Sequence, residues 1–87
     1  MPLKNKTVMI SGASRGIGRT VAVELANEGA NISFNYLNSA ADANNLEKEI
    51  NNSGVKAKSF KVDIKDYISV KTWVDNTKEF FGGIDIV

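Results

Sequence analysis

The chain has no cysteine and no histidine, and these two absences remove whole classes of chemistry. Without cysteine there is no disulfide framework and no thiolate nucleophile. Without either residue type, a zinc ion lacks its preferred ligands and a histidine-based acid–base relay is excluded. We therefore expect no metal site, and any proton chemistry must use other side chains.

Excess charge and long apolar runs are also absent. The formal net charge is +1, which provides no basic field for nucleic acid, so we expect no nucleic-acid partner. The apolar stretch before Gly12 is too short for a signal-peptide core or a membrane span. We expect a cytoplasmic protein without membrane contact, and the apolar fraction of 43% fits a folded domain.

Alternating β-prone runs and helical periodicities fill the chain. Four short runs are typical of strands: Thr7–Ile10, Asn31–Tyr36, Ala57–Val62 and Ile84–Val87. Lysines in the third run favour the edge of a sheet. Three helices are predicted between the strands, and we expect the following buried stripes: Ile17, Val21 and Leu25, with Ala22 and Ala26 alongside; Ala43, Leu46 and Ile50; and Ile68, Val70, Trp73, Val74, Thr77, Phe80 and Phe81.

Helix-terminal residues support these boundaries. Ser39 and Asp42 resemble a capping box at the start of the second helix, and Asp66 can cap the third. Gly29, Gly54 and the Gly82-Gly83 pair end the three helices. The resulting order β-α-β-α-β-α-β predicts an α/β fold with a parallel sheet, and residues 1–87 form one unit.

The segment SGASRGIG joins the first strand to the first helix. Exposed N–H groups at a helix start attract an anion, and this position in an α/β sheet commonly binds phosphate. Gly12 can permit the tight turn, Gly16 can let a pyrophosphate approach the backbone, and Gly18 can let the helix pack close to the strand. A phosphate-binding P-loop is rejected, because Ala13 stands at its first glycine position and Arg19 replaces its lysine.

The spacing Gly12-x-x-x-Gly16-x-Gly18 resembles the TGxxxGxG cofactor loop of the short-chain dehydrogenase/reductase family, with Ser11 in place of the threonine. The resemblance continues through Asp63 in KVDI to GGIDIV, which is similar to the approach to the family's NNAG segment. Within the family, GASRGIGR and the Asn35-Tyr36 pair are most similar to the 3-oxoacyl-(acyl-carrier-protein) reductase type. The resemblance implies a Rossmann-type fold with strand order 3-2-1-4, of which residues 1–87 are the N-terminal, NAD(P)-binding portion.

The resemblance also implies roles for individual residues. The phosphates and adenosine of the cofactor would be surrounded by Gly12, Ser14, Arg15, Gly16, Ile17 and Gly18. Asp63 would accept a hydrogen bond from the adenine amine, with Ile64 against the ring. A solvated turn residue before a helix is the alternative for Asp63.

The sequence favours NADP over NAD. An NAD site needs a carboxylate about twenty residues after the glycine turn, at the end of the second strand. That position falls near Tyr36, in a segment without an acid before Asp42. Arg15 can pair with a 2′-phosphate, and Asn35, Tyr36 and Ser39 could add hydrogen bonds. A solvated surface charge is the alternative for Arg15.

Tyr67 and Lys71 have the Tyr-x-x-x-Lys spacing of the family's catalytic pair. In the family, however, that pair follows a later strand, beyond where this sequence ends, whereas Tyr67 opens the helix after the third strand. We therefore interpret Tyr67 as a first-turn helix residue and Lys71 as a solvated charge, and we expect no catalytic residue within the 87 residues.

The resemblance implies the N-terminal part of an NADP(H)-dependent oxidoreductase that transfers hydride between the cofactor and a small carbonyl or alcohol. The complete enzyme would be a homo-oligomer, and the 87 residues alone would be inactive. Two alternatives remain: a non-catalytic nucleotide-binding half-fold completed by another chain, and a flavodoxin-like or receiver-like domain that binds no dinucleotide.

Overall fold

Three strands and three helices alternate along the chain in a computed structural model that describes residues 2–13 and 16–87. Their bounds are β1 Thr7–Ile10, α1 Gly16–Asn27, β2 Asn31–Tyr36, α2 Ala40–Asn52, β3 Ala57–Lys61 and α3 Tyr67–Phe81. Across the two described ranges, no helix combines the length and the apolar character that crossing a membrane would require.

The sheet is parallel, with β2 between β1 and β3. Thr7 aligns with Asn31 in the first pair, and Ile32 aligns with Ala57 in the second. On the outer side of β1, Val8 forms a parallel bridge with Ile86, which gives the expected order 3-2-1-4. The predicted strand Ile84–Val87 is wrong in extent, because only this single bridge forms in the described chain.

The helices pack on opposite faces of the sheet and form two apolar cores. The larger core lies under α1 and α2 and includes Ile32, Phe34 and Leu46, all fully buried. The smaller core lies under α3 and is built around Met9, Val62 and Trp73. The alternation of side chains along the strands produces this division, since successive residues point to opposite faces.

The buried face of α1 differs in part from the predicted one. Ala22 and Ala26 are buried, whereas Ile17 is 84% exposed and Val21 is 43% exposed. Small side chains at a spacing of four let the helix axis lie close to the sheet, and Ile17 and Val21, on the neighbouring stripe, turn outward. Burial of Ala22 and Ala26 and the packing of Leu25 against the larger core are confirmed, whereas Ile17 and Val21 were wrongly predicted to be buried.

The other two helices follow the sequence more closely. Ala43, Leu46 and Ile50 are buried on α2, as predicted. On α3, Trp73 and Thr77 are buried and Val70 and Val74 pack against the smaller core. Two members of the predicted apolar side are wrong, because Ile68 is 73% and Phe80 is 49% exposed.

Helix capping is confirmed at α3 and wrong at α2. The Asp66 carboxylate accepts hydrogen bonds from the N–H groups of Ile68 and Ser69, at 3.1 and 3.3 Å. Gly82 ends α3 in the left-handed conformation, with φ +87°. Within the described residues, the Ser39 side chain makes no capping hydrogen bond, so the expected capping box does not form.

The outer edge of β3 is covered by side chains of α2. Glu47 accepts hydrogen bonds from the Ser59 N–H at 2.9 Å and from the Ser59 hydroxyl at 2.6 Å. Asn51 accepts from the Ala57 N–H at 2.8 Å. An unpaired strand edge is a template for aggregation, so these bonds protect β3. The lysines of β3 had predicted its position at the edge of the sheet.

Candidate nucleotide-binding site

The carboxyl ends of the strands meet at one edge of the sheet, because all three strands run in the same direction. The chain leaves this edge at three places: Ser11–Ala13 after β1, Leu37 after β2, and Val62–Ile64 after β3. Ligands of open α/β sheets bind in the crevice outside such an edge. Among the described site residues, Gly12, Asp63 and Ile64 lie on these segments, and Gly16, Ile17 and Gly18 lie on the first turn of α1. Asn35 and Tyr36 are the last two residues of β2.

The glycine turn has the backbone geometry that its sequence predicted. Gly12 and Gly16 have φ angles of +70° and +69°, in the left-handed region that other residues enter only at a cost. A Cβ built on Gly16 meets no atom of the described residues within 4 Å. Among the described residues, nothing blocks the approach of a ligand to the backbone at Gly16. The predicted roles of Ser14 and Arg15 fall outside the described residues.

At Gly18, α1 lies very close to the backbone of the turn. A Cβ at this position would overlap the carbonyl oxygen of Gly12 and would lie 2.9 Å from its carbonyl carbon and 3.1 Å from the Ala13 Cα. Only a residue without a side chain permits this approach. The predicted packing role of Gly18 is confirmed, and the approach brings the start of α1 against the end of β1.

Asn35 lies at the floor of the crevice and is only 7% exposed. Its Oδ1 accepts a hydrogen bond from the Gly12 N–H at 3.1 Å, and its Nδ2 donates to the Val62 carbonyl at 3.1 Å. Sequence reasoning assigned Asn35 a hydrogen bond to the cofactor and missed these internal bonds. The sequence could have indicated such bonds, because Asn35 stands between Phe34 and Tyr36 in a strand predicted to be buried. A buried amide needs hydrogen-bond partners.

Asp63 forms the turn between β3 and α3. Its Oδ1 accepts a hydrogen bond from the Lys65 N–H at 2.9 Å, and its backbone carbonyl accepts from the Asp66 N–H at 3.0 Å. Asp63 as a whole is half-buried, and the neighbouring Ile64 is 61% exposed. Asp63 therefore stabilises the turn before α3, which was the alternative role considered for it. The exposed apolar side chain of Ile64 lies next to it in the sequence.

The end of β2 supplies no charge. Tyr36 is the last residue of that strand, is half-buried, and packs against the larger core. Ser39 follows three residues later, just before α2. The strand end at which a dinucleotide's ribose would be recognised therefore presents an aromatic residue and hydroxyl groups in place of a carboxylate.

Arg19, the other cation of the glycine segment, points away from this edge toward α2. Its Nη2 forms a salt bridge with Glu49 Oε1 at 2.7 Å. Both side chains are partly exposed, so the pair contributes little to stability. The bond directs Arg19 toward α2. Arg19 therefore does not take the place of the phosphate-binding lysine of a P-loop, as expected from the sequence.

Tyr67 and Lys71 lie on the first turns of α3, and both side chains are exposed. Tyr67 is 78% exposed and is the first helical residue after the Asp66 cap. This placement is the one expected for surface residues of a helix. The interpretation of the pair as non-catalytic stays a prediction that turnover measurements can test.

Comparisons with known proteins agree with this geometry. The family model described as short chain dehydrogenase matches residues 6–87. The chain is 38% identical over 85 residues to versicolorin reductase 1 of Dothistroma septosporum, covering 98% of this chain and 32% of that protein. It is 35% identical over 82 residues to a 3-oxoacyl-(acyl-carrier-protein) reductase of Staphylococcus aureus, covering 94% of this chain and 33% of that one.

A solved structure shows the same fold. It is a short chain dehydrogenase from Burkholderia cenocepacia in complex with NADP, which superposes with a TM-score of 0.93 at 35% identity. The match covers 97% of this chain and 35% of that one. The chain therefore spans about a third of the length of the relatives it matches.

Proposed function

The chain belongs to the short-chain dehydrogenase family, and we propose that it forms the NADP(H)-binding part of an oxidoreductase that acts on a small carbonyl or alcohol. Since the chain spans about a third of its relatives, we place the residues that transfer protons to the substrate beyond Val87. The 87 residues alone are then inactive. A bound nicotinamide would supply the hydride, and these residues would hold and orient the dinucleotide.

The approach of Gly18 to Gly12 is the observation that carries the proposal. It brings the start of α1 against the turn that leaves β1, at the edge where the parallel strands end. Free N–H groups at a helix start, combined with the helix dipole, favour a phosphate. Open space at the Gly16 Cβ position lets the pyrophosphate approach the backbone there. Ile17, exposed at 84%, offers an apolar contact beside it.

We assign the adenine end to the turn after β3. The Asp63 carboxylate holds the turn through the Lys65 N–H at 2.9 Å. A carboxylate can accept several hydrogen bonds, so Asp63 can also accept one from the adenine amine. Ile64, which is 61% exposed, supplies an apolar surface for the ring.

We assign a preference for NADP(H) over NAD(H) to the end of β2. A carboxylate there would repel a 2′-phosphate, and the strand ends at Tyr36 without one. Arg15 supplies the positive charge, since Arg19 is engaged by Glu49 at 2.7 Å. A guanidinium pairs with phosphate through two parallel hydrogen bonds, which gives both strength and orientation.

The test compares cofactors in the natural polypeptide that contains this sequence. We expect NADPH to bind at least about tenfold more tightly than NADH, and Arg15→Ala to remove most of that difference while leaving NADH affinity nearly unchanged. The control is Lys48→Ala, an exposed cation on α2. Equal affinities for the two cofactors would refute the preference. NADPH binding without reduction of any carbonyl would favour a non-catalytic binding protein instead.

A further inference from the structure

The Asn35 side chain occupies a position from which it touches both halves of the crevice floor. It lies on β2, the central strand, and projects from the face opposite Phe34, which belongs to the larger core. Its two hydrogen-bond partners, Gly12 and Val62, follow β1 and β3, the strands on either side. A single buried amide thus joins the two segments that the proposed function assigns to phosphate and to adenine.

The two bonds require a side chain that accepts at one end and donates at the other. Oδ1 accepts from the Gly12 N–H and Nδ2 donates to the Val62 carbonyl, each at 3.1 Å. An amide meets both demands, whereas a carboxylate would accept from Gly12 and repel the Val62 carbonyl. Because Asn35 is 7% exposed, loss of either bond would leave a backbone group without ready access to water.

The bond to Gly12 continues into α1. The Gly12 N–H is held by Asn35, and the Gly12 carbonyl oxygen lies against Gly18 at the position a Cβ would occupy. The peptide groups on both sides of Gly12 are therefore fixed, one by a hydrogen bond and one by close packing. On the other side, Val62 directly precedes Asp63, and its own N–H donates to the Tyr36 carbonyl at 2.9 Å.

We propose that Asn35 is a positioning residue that fixes the glycine turn and the Asp63 turn relative to each other, and so preorganises the crevice for a dinucleotide that must contact both. The inference rests on the proposed function and extends it. Preorganisation improves affinity because the bound protein then loses less conformational freedom. The effect of Asn35 acts through backbone geometry rather than through a direct contact of its amide with the cofactor.

Two substitutions separate the two bonds. Asn35→Ala removes both, while Asn35→Asp keeps the acceptor for Gly12 and removes the donor to Val62. We expect either change to raise the Kd for NADPH by about tenfold or more. Hydrogen exchange of the Gly12 amide, followed by NMR without nucleotide, should accelerate about tenfold in Asn35→Ala and stay near its original rate in Asn35→Asp.

Trp73→Phe is the matched control. The Trp73 Nε1–H donates to the Ser33 Oγ at 2.9 Å, so this change also removes a buried hydrogen bond on the same face of β2. It should lower stability without changing the NADPH Kd or the exchange of Gly12. If the alanine variant fails to fold, the aspartate variant, which keeps the side-chain volume, still tests the affinity.

Unchanged NADPH affinity in a folded Asn35→Asp or Asn35→Ala protein would overturn the inference, as would an equal loss of affinity in Trp73→Phe. Failure of the unaltered protein to bind NADPH would overturn the proposed function instead. In that case, the exchange rate of Gly12 in Asn35→Ala would still decide whether Asn35 holds the turn.

Discussion

Substitution of Gly18 by alanine tests the close approach on which the nucleotide site depends. The added Cβ would overlap the Gly12 carbonyl oxygen and lie 2.9 Å from the Gly12 carbonyl carbon, whereas ordinary contacts lie at 3.4–4 Å. All of the atoms it meets belong to the backbone, so no side chain can rotate to make room. Helix α1 or the glycine turn must move.

The expected loss of stability follows from two opposing terms. Overpacking of a close contact costs about 1–3 kcal/mol. Alanine is favoured over glycine in a helix by about 0.5–1 kcal/mol. We therefore expect the free energy of unfolding to fall by about 1 kcal/mol, near the middle of a range of about 0–2.5 kcal/mol. A change of this size lowers the urea midpoint of a small domain by about 0.5–1 M.

The assay combines urea denaturation with NADPH titration, and Gly54→Ala is the control. Gly54 has φ +99° and no described atom within 4 Å of its Cβ position, so alanine there is strained by about 1–2 kcal/mol without a collision. Gly54 lies between the end of α2 and the start of β3. It is therefore at the amino edge of the sheet, opposite the carboxyl edge that carries the proposed site. Both variants should lose similar stability, and only Gly18→Ala should weaken NADPH binding, by about tenfold or more.

Two results would refute this reasoning. A Gly18→Ala protein with an unchanged urea midpoint and unchanged NADPH affinity would show that the close approach matters neither to folding nor to binding. An equal loss of NADPH affinity in Gly54→Ala would show that affinity simply follows stability.

Three further predictions concern other parts of the fold. Glu47→Ala removes the acceptor that covers the Ser59 N–H at the sheet edge. We expect the free energy of unfolding, measured by denaturation, to fall by about 1 kcal/mol, and aggregation, measured by light scattering, to become faster. An unchanged aggregation rate would contradict this. Tyr67→Phe should leave turnover of the natural polypeptide nearly unchanged, because the 78% exposed side chain opens a surface helix turn; a loss of several orders of magnitude would identify Tyr67 as catalytic. Ser33→Ala leaves the Trp73 indole N–H without its acceptor. We expect the free energy of unfolding to fall by about 1–3 kcal/mol and the fluorescence emission of the single tryptophan to shift. An unaltered spectrum and unaltered stability would show that the bond is unimportant.

The order of elements and their directions could be read from the sequence, because glycine positions and alternating periodicities mark the boundaries between strands and helices. The edge position of β3 was also predictable, since its lysines are costly in a strand covered on both sides. The small extent of the fourth strand could not be predicted, because it depends on a side-chain contact. The Asp85 carboxylate accepts a hydrogen bond from the Thr7 N–H at 2.9 Å, where a continuous strand would offer a backbone carbonyl. That side-chain bond lies next to the single bridge at Ile86.

The inward face of α1 was predicted only in part, because two stripes with the same spacing lie side by side. Hydrophobicity favours Ile17 and Val21, whereas the close approach at Gly18 places Ala22 and Ala26 against the sheet. The decisive signal was the small-residue series Gly18, Ala22, Ala26, which can be recognised once the glycine turn is assigned a packing role.

The internal bonds of the site depend on tertiary geometry and could be predicted only in part. Buried Asn35 was recognisable as a residue needing partners, but its partners Gly12 and Val62 are 23 and 27 positions away in the sequence. Which backbone groups come within reach depends on the register of three strands. The glycine positions, in contrast, could be assigned because their requirement is local backbone geometry.

The most direct test of the central claim is an NMR titration of the isotope-labelled protein with NADP⁺. The account predicts that the largest amide shifts fall at Gly12, Gly16, Gly18, Asp63 and Ile64, along the carboxyl edge of the sheet. The C-terminal half of α3 should be nearly unaffected. Absence of shifts at millimolar NADP⁺, or shifts confined to α2 and α3, would contradict the assignment of this edge as a dinucleotide site.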